Sequence, residues 1–165
     1  MKKNFLRLIL LVLLLGTLFL IFDFSSQDAE ESGGLSSSIA EFILKQVHHE
    51  EIENRQSILE RIESIIRKVA HFSIYTLVGF LLMSFISTYD LKESKRIMVS
   101  LCVGILYATS DEIHQLFVPG RSGQITDVIL DSMGVMLGIL LLLMVLELYK
   151  KMKKGYKKNS TIIVS

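Results

Sequence analysis

The stretch from Asp111 to Gly138, DEIHQLFVPGRSGQITDVILDSMGVMLG, decides how the chain folds. Two hydrophobic runs meet in it, yet it carries Asp111, Glu112, His114, Gln115, Arg121, Asp127 and Asp131. The chain's one proline, Pro119, stands beside Gly120, so the backbone turns there. Two apolar helices joined by a short turn thus carry ionisable groups near their joined ends. Such groups cost about 2.5–3.5 kcal/mol each at the centre of a bilayer. A hairpin with a purely structural task would avoid them. The pattern points to a polar site inside a small membrane protein.

Working outward, 165 residues make one unit, and 50% of them are hydrophobic, gathered in blocks with a positive mean hydropathy. That is a membrane profile and not a soluble core. The net charge of +1 conceals segregation. Lys and Arg gather at the N-terminus, at Lys92–Arg96 and at Lys150–Lys158, while Glu gathers between Glu30 and Glu63. Cys102 is the lone cysteine, which excludes an intrachain disulfide, a zinc ribbon and a thiol redox pair. It reads as a small core residue. No Gly-rich phosphate loop and no basic stripe with interleaved aromatics is present, so nucleic acid is not an expected partner. The basic tail suits anionic lipid.

The expected architecture is all-α: a polytopic membrane protein, a four-transmembrane-helix bundle with an extracellular amphipathic helical segment between the first two spans. The first span, Phe5 to Phe24, follows Lys2, Lys3 and Arg7. Its apolar region exceeds that of a signal peptide and no clear small-x-small cleavage site follows, so an uncleaved span is preferred. Residues 1–24 form that span and 25–66 the polar segment. Apolar positions Ile39, Phe42, Ile43 and Val47, then Ile52, Ile58, Leu59, Ile62 and Ile65, recur there at helical spacing. Residues 67–149 form a core of three spans, about Val69–Ser87, Ile97–Phe117 and Ile125–Leu148, and 150–165 a basic tail whose end, Thr161–Ser165, reads as disordered. All three Lys/Arg clusters fall on one side of an even number of spans. By the positive-inside rule that side is the cytoplasm, with both termini in it, and the Pro119 turn lies outside.

Each inner span carries a polar-to-small stripe on one face. Arg67 or Lys68, His71, Tyr75 and Gly79 share a face of the second span; Gln115, Asp111, Ala108 and Gly104 do so on the third; Asp127, Asp131, Gly134 and Gly138 on the fourth. Small residues let membrane helices approach closely, and Gly134-x-x-x-Gly138 is such a pattern. The three stripes therefore face one another. At 1.5 Å per residue, Tyr75, Asp111 and Asp131 all fall roughly 9 Å below the outer boundary. Arg67, Lys68, His71 and Arg121 are on the same side and can pair with the acids. Tyr75, being amphipathic, also suits an interfacial anchor. His114 is expected outside the pocket, near Phe117.

These motifs, Arg67-Lys68-x-x-His71-x-x-x-Tyr75, Asp111-Glu112-x-x-Gln115 and Pro119-Gly120-Arg121 followed by Asp127, resemble the VanZ-like membrane protein family. Phe24-Ser25-Ser26-Gln27 is similar to that family's N-terminal region, so the resemblance covers nearly the whole chain apart from the tail. It implies a role in the bacterial cell envelope, in the cytoplasmic membrane, and a link to resistance against teicoplanin-type antibiotics. It implies no agreed reaction or cofactor.

Three functions fit the residues. In the first, the pocket binds a lipid or glycan headgroup of the envelope, or alters access of an antibiotic to its target. Arg67, Lys68 and Arg121 would take an anionic group, while Asp111, Glu112 and Asp127 would orient hydroxyls or amines. His71, Tyr75, Gln115 and Asp131 complete the ligand-binding set. In the second, an enzyme acts on a lipid-linked precursor with His71, Asp111 and Glu112 as its catalytic candidates. In the third, Asp131, Tyr75 and Asp111 relay protons, but the small and apolar inner halves of the stripes close that path. The bland alternative is an ion-pair network that pins helix ends. Partners are membrane lipids and a lipid-linked or glycan envelope component. No cofactor and no resident metal are expected: in the Asp111/Glu112/His114 cluster Glu112 and His114 face different ways on a helix, His71, Asp111 and Asp127 would have to act jointly, and the pair His48-His49 reads as a solvated helix end.

Overall fold

The computed structural model describes residues 2–27, 29–46, 55–121 and 123–163, and every regular element among them is helical. The helices are α1 (Lys2–Ser26), α2 (Ala29–Gln46), α3 (Arg55–Ile86), α4 (Glu93–Gln115) and α5 (Ile125–Ile163). Among the described residues, α1, α3 and the Ile125–Lys154 part of α5 are long and apolar enough to cross a membrane. The average over α4 falls short because its two faces differ. Ser100, Gly104, Ala108, Asp111, Glu112 and Gln115 are buried, whereas Met98, Val103, Leu106 and Ile113 are exposed. Polar and small groups point inward and apolar ones outward, the reverse of a soluble helix.

The same inversion holds across the molecule. Phe5, Leu8, Val12, Leu15 and Phe19 on α1, and Met133, Leu140 and Met144 on α5, are all exposed. An apolar surface that wide is not sustained in water. The chain is a helical membrane protein.

Small residues set the helix spacing. A side chain at Gly79 would run into the backbone of Val135, and one at Gly138 into the carbonyl of Thr76. Gly134 lies against the Phe72 carbonyl, where an added Cβ would stand 2.7 Å away. Thus α3 and α5 pack backbone to backbone, the most extensive helix pair in the fold. Gly104 admits the Val135 side chain, which brings α4 onto the same seam.

Polar contacts fix the directions. Arg7 donates from Nε to Thr88 Oγ1 at 3.1 Å and from Nη2 to the Thr88 carbonyl at 3.0 Å, with its guanidinium 4.2 Å from the Tyr89 ring centre. At the other end of α1, Arg121 Nη2 donates to the Phe24 carbonyl at 3.1 Å and Gln115 Nε2 to Ser25 Oγ at 3.4 Å. So α1 starts at the α3–α4 turn and ends at the α4–α5 turn, and α3, α4 and α5 alternate in direction.

Four expectations change. First, α3 has no break between residues 66 and 67: Ile58, Leu59, Ile62 and Ile65 belong to the same helix as His71 and Tyr75, a single 32-residue rod. Second, α2 buries Ser36, Ala40 and Leu44, while the predicted stripe residues Ile39, Phe42 and Ile43 stay exposed. The buried side of α2 is therefore offset from the apolar stripe that spacing suggests. Third, Cys102 is exposed and not in the core; it stands on the apolar outer face of α4. Fourth, α5 continues through the lysine-rich stretch to Ile163, because Lys is a good helix former and no proline intervenes. His48-His49 and Val47 lie outside the described residues.

Candidate functional site

The three stripes converge where the sequence places them. Tyr75, fully buried, donates its hydroxyl to Asp111 Oδ2 at 3.2 Å. It is therefore a structural member of the site and not an interfacial anchor. His71, one turn nearer the end of the bundle, faces α5, with Nδ1 at 3.6 Å from Asp131 Oδ2. A ring nitrogen of His71 and one oxygen each of Asp111 and Asp131 all lie within 4.8 Å of one another. The common level expected for Tyr75, Asp111 and Asp131 is thus real in space.

Above this floor the groups pair differently from a ring of bases around acids. Lys68 Nζ meets Asp127 Oδ1 at 2.6 Å, a partly exposed ion pair. Glu112 Oε2 accepts from the Gln124 amide at 2.9 Å, so a carboxylate caps the start of α5, where the helix dipole favours it. Arg121 binds a backbone carbonyl. Among the described residues, neither Arg67 nor Arg121 stands within ion-pair distance of a carboxylate. Burial, and then the like charge of Arg67, draw the Arg121 guanidinium below its ordinary value. The turn that carries Arg121 is made possible by Gly120, whose φ of 74° suits glycine.

These groups surround a polar cavity of about 150 Å³, lined by Ser64, Arg67, Lys68, His71, Glu112, Gln115, Arg121, Gln124, Asp127 and Asp131 among others. Beside it lies a second, mostly apolar cavity of about 290 Å³ between α1, α2 and α3, with Ile21, Phe24, Ile39, Ile66, Ala70 and Ile74 in its wall. Arg67, His71 and Arg121 line both. A hydrated group and a hydrocarbon chain can therefore occupy adjoining spaces, with two guanidiniums at the junction.

A family model described as VanZ/LLP1 matches residues 8–146. The chain belongs to the VanZ/LLP1 family. The matched range runs from the first turns of α1 into the apolar part of α5, so every residue lining either cavity falls inside the family region. The three long apolar helices and this membership together make it a multi-pass, VanZ-like membrane protein. No curated protein and no solved structure matches the chain.

All ten candidate residues of this VanZ-like site come together at one end of the bundle, and eight of them line the polar cavity. The other two, Tyr75 and Asp111, are buried and hydrogen-bonded to each other, with Asp111 beside His71. His114 does lie outside the cavity lining, but its ring packs on Phe22 at 4.7 Å between centroids. The joint set His71, Asp111 and Asp127 is not the one the structure brings together: Asp127 pairs with Lys68, and Asp131 joins His71 and Asp111. Ser64 and Gln124 were missed. Ser64 sits one turn before Lys68 on the same helical face, a signal hidden by the boundary drawn at residue 66. The α1 contribution, Phe24 and Ser25, carried no charge to mark it.

Proposed function

We propose that this VanZ-like protein resides in the bacterial cytoplasmic membrane with four spans. In this reading α4 is the fourth, both termini are cytoplasmic, and the α4–α5 turn faces outward. Its outward polar cavity binds the anionic headgroup of an envelope lipid or lipid-linked glycan, and through that ligand alters susceptibility to teicoplanin-type antibiotics. The orientation rests on Lys2, Lys3 and Arg7, on Lys92–Arg96 and on the lysine tail, which share one side of a four-span bundle. The extracellular segment then includes α2, whose exposed Phe42 and Ile43 suit the bilayer interface.

The observation that carries the reading is the pair of guanidiniums, Arg67 and Arg121, on the shared wall of a polar and an apolar cavity, neither within ion-pair distance of a carboxylate among the described residues. Guanidinium forks match phosphate and carboxylate oxygens bidentately. An arriving anion would relieve their mutual repulsion while its chain stays in the apolar groove. Lys68, already engaged by Asp127, contributes field more than contact.

The test is retention of lipid. Protein extracted in mild detergent should carry an anionic amphiphile seen by native mass spectrometry, and the Arg67→Gln/Arg121→Gln protein should lose it. Equal retention by a normally folded double variant would overturn the headgroup reading.

A further inference from the structure

The floor of the cavity holds a feature that headgroup binding leaves unused. Asp131 is 1% exposed, and neither of its carboxylate oxygens has a hydrogen-bond partner. The nearest cationic group among the described residues is His71, whose Nδ1 stands 3.6 Å from Asp131 Oδ2, just beyond hydrogen-bond length. A buried carboxylate is normally satisfied by several donors, and an unsatisfied one is costly. Asp111, also buried, adds a second carboxylate within 4.8 Å. A single imidazolium between two carboxylates would leave one negative charge, and among the described residues no other cation stands within ion-pair distance of Asp111 or Asp131.

We propose that His71, Asp111 and Asp131 bind one divalent transition-metal ion, of the Zn²⁺ or Mn²⁺ kind, at the base of the polar cavity. A neutral imidazole with two carboxylates carries two negative charges, which the dication cancels, so nothing charged is left over in the buried layer. One nitrogen and two oxygens are a donor set these ions accept. Around an ion with bonds of about 2.1 Å, tetrahedral ligand atoms stand about 3.4 Å apart. The separations here, all within 4.8 Å, close to that by small rotations of three side chains. Each ligand comes from a different helix, α3, α4 and α5, so the ion also ties the bundle together. The Tyr75 hydroxyl holds Asp111 from its other side, the kind of outer contact that orients a ligating carboxylate. Three protein ligands would leave a coordination position, and two of the three, His71 and Asp131, line the polar cavity. A phosphate or carboxylate oxygen can occupy that position.

The inference stands on these three side chains and not on the headgroup reading. It is tested on full-length protein in a His48→Ala/His49→Ala background, which removes the sequence's other histidine pair. After purification with chelator, equilibrium dialysis against Zn²⁺ or Mn²⁺ should give one bound ion per chain. Asp131→Asn and His71→Gln should each weaken binding at least about tenfold. Failure to bind either ion in stoichiometric amount, or unchanged binding in both variants, overturns the proposal. A thermal melt guards against misfolding: without metal, Asp131→Asn should melt no lower than its parent, because it removes an unsatisfied carboxylate, and added metal should raise the parent's Tm alone. A metal-free Asp131→Asn protein that melts markedly lower would mean that Asp131 serves as the ion-pair partner of His71, and the metal site would fall. Lipid retention by the Arg67→Gln/Arg121→Gln protein is scored separately, so either reading can fail without the other.

Discussion

The hydroxyl of Tyr75 reaches Asp111 Oδ2 at 3.2 Å across the α3–α4 interface, and both side chains are buried. This contact joins two helices at the depth where a carboxylate is hardest to accommodate. Tyr75→Phe keeps the ring and removes the donor, so it leaves Asp111 short of a partner. The expected loss is about 1–3 kcal/mol, read as a lower melting temperature in detergent. In a double-mutant cycle, Tyr75→Phe should cost clearly less once Asp111 is replaced by Ala, which removes the acceptor. Equal cost in both backgrounds would deny the coupling.

Helix contact predicts a sharp contrast between two glycines. Gly138→Leu drives a side chain into the Thr76 carbonyl, so α3 and α5 must separate and the folded protein should be lost from size-exclusion profiles. Gly16→Leu on α1 meets nothing within 4 Å and should behave as wild type. Similar outcomes at both positions would contradict the packing.

Much of this was readable from spacing alone. The stripes Arg67–His71–Tyr75–Gly79, Asp111–Gln115 and Asp127–Asp131–Gly138 follow from a fixed helical period, which also fixes their depth. What spacing cannot supply is the choice of partner among groups at one level. Lys68 takes Asp127, His71 faces Asp131, and Glu112 caps α5, a pairing set by the relative rotation of the packed helices. Cys102 was misread for a related reason: in lipid a small apolar residue gains nothing by facing inward. The second cavity was also out of reach, since α1 and α2 line it without a charged side chain.

Capping of α5 by Glu112 gives a modest and specific effect. Glu112→Ala removes the acceptor for the Gln124 amide and should cost about 0.5–2 kcal/mol. Glu112→Gln, which keeps an acceptor oxygen, should recover most of it in the same melt. No difference between the two substitutions would show that the carboxylate serves something other than the cap.

Orientation is open to chemical labelling. In a Cys102→Ser background, Thr126→Cys near the α4–α5 turn should react with a membrane-impermeant maleimide on intact cells. Lys95→Cys in the α3–α4 region should react only after permeabilisation. The opposite pattern would place the cavity on the cytoplasmic side and remove the proposed envelope ligand.

The sparse seating of α1 reaches beyond stability. Its buried positions are Leu14, Thr17, Ile21 and Ser25, one narrow seam on a 25-residue helix. The opposite flank, with Phe5, Leu8, Val12, Leu15 and Phe19 exposed, answers to acyl chains, for which Leu, Ile, Val and Phe are interchangeable. Mutational drift can rewrite that flank almost freely, while Gly79, Gly138 and the charged floor admit few spellings. Descendants of one such ancestor would come to share a short scatter of letters and little else.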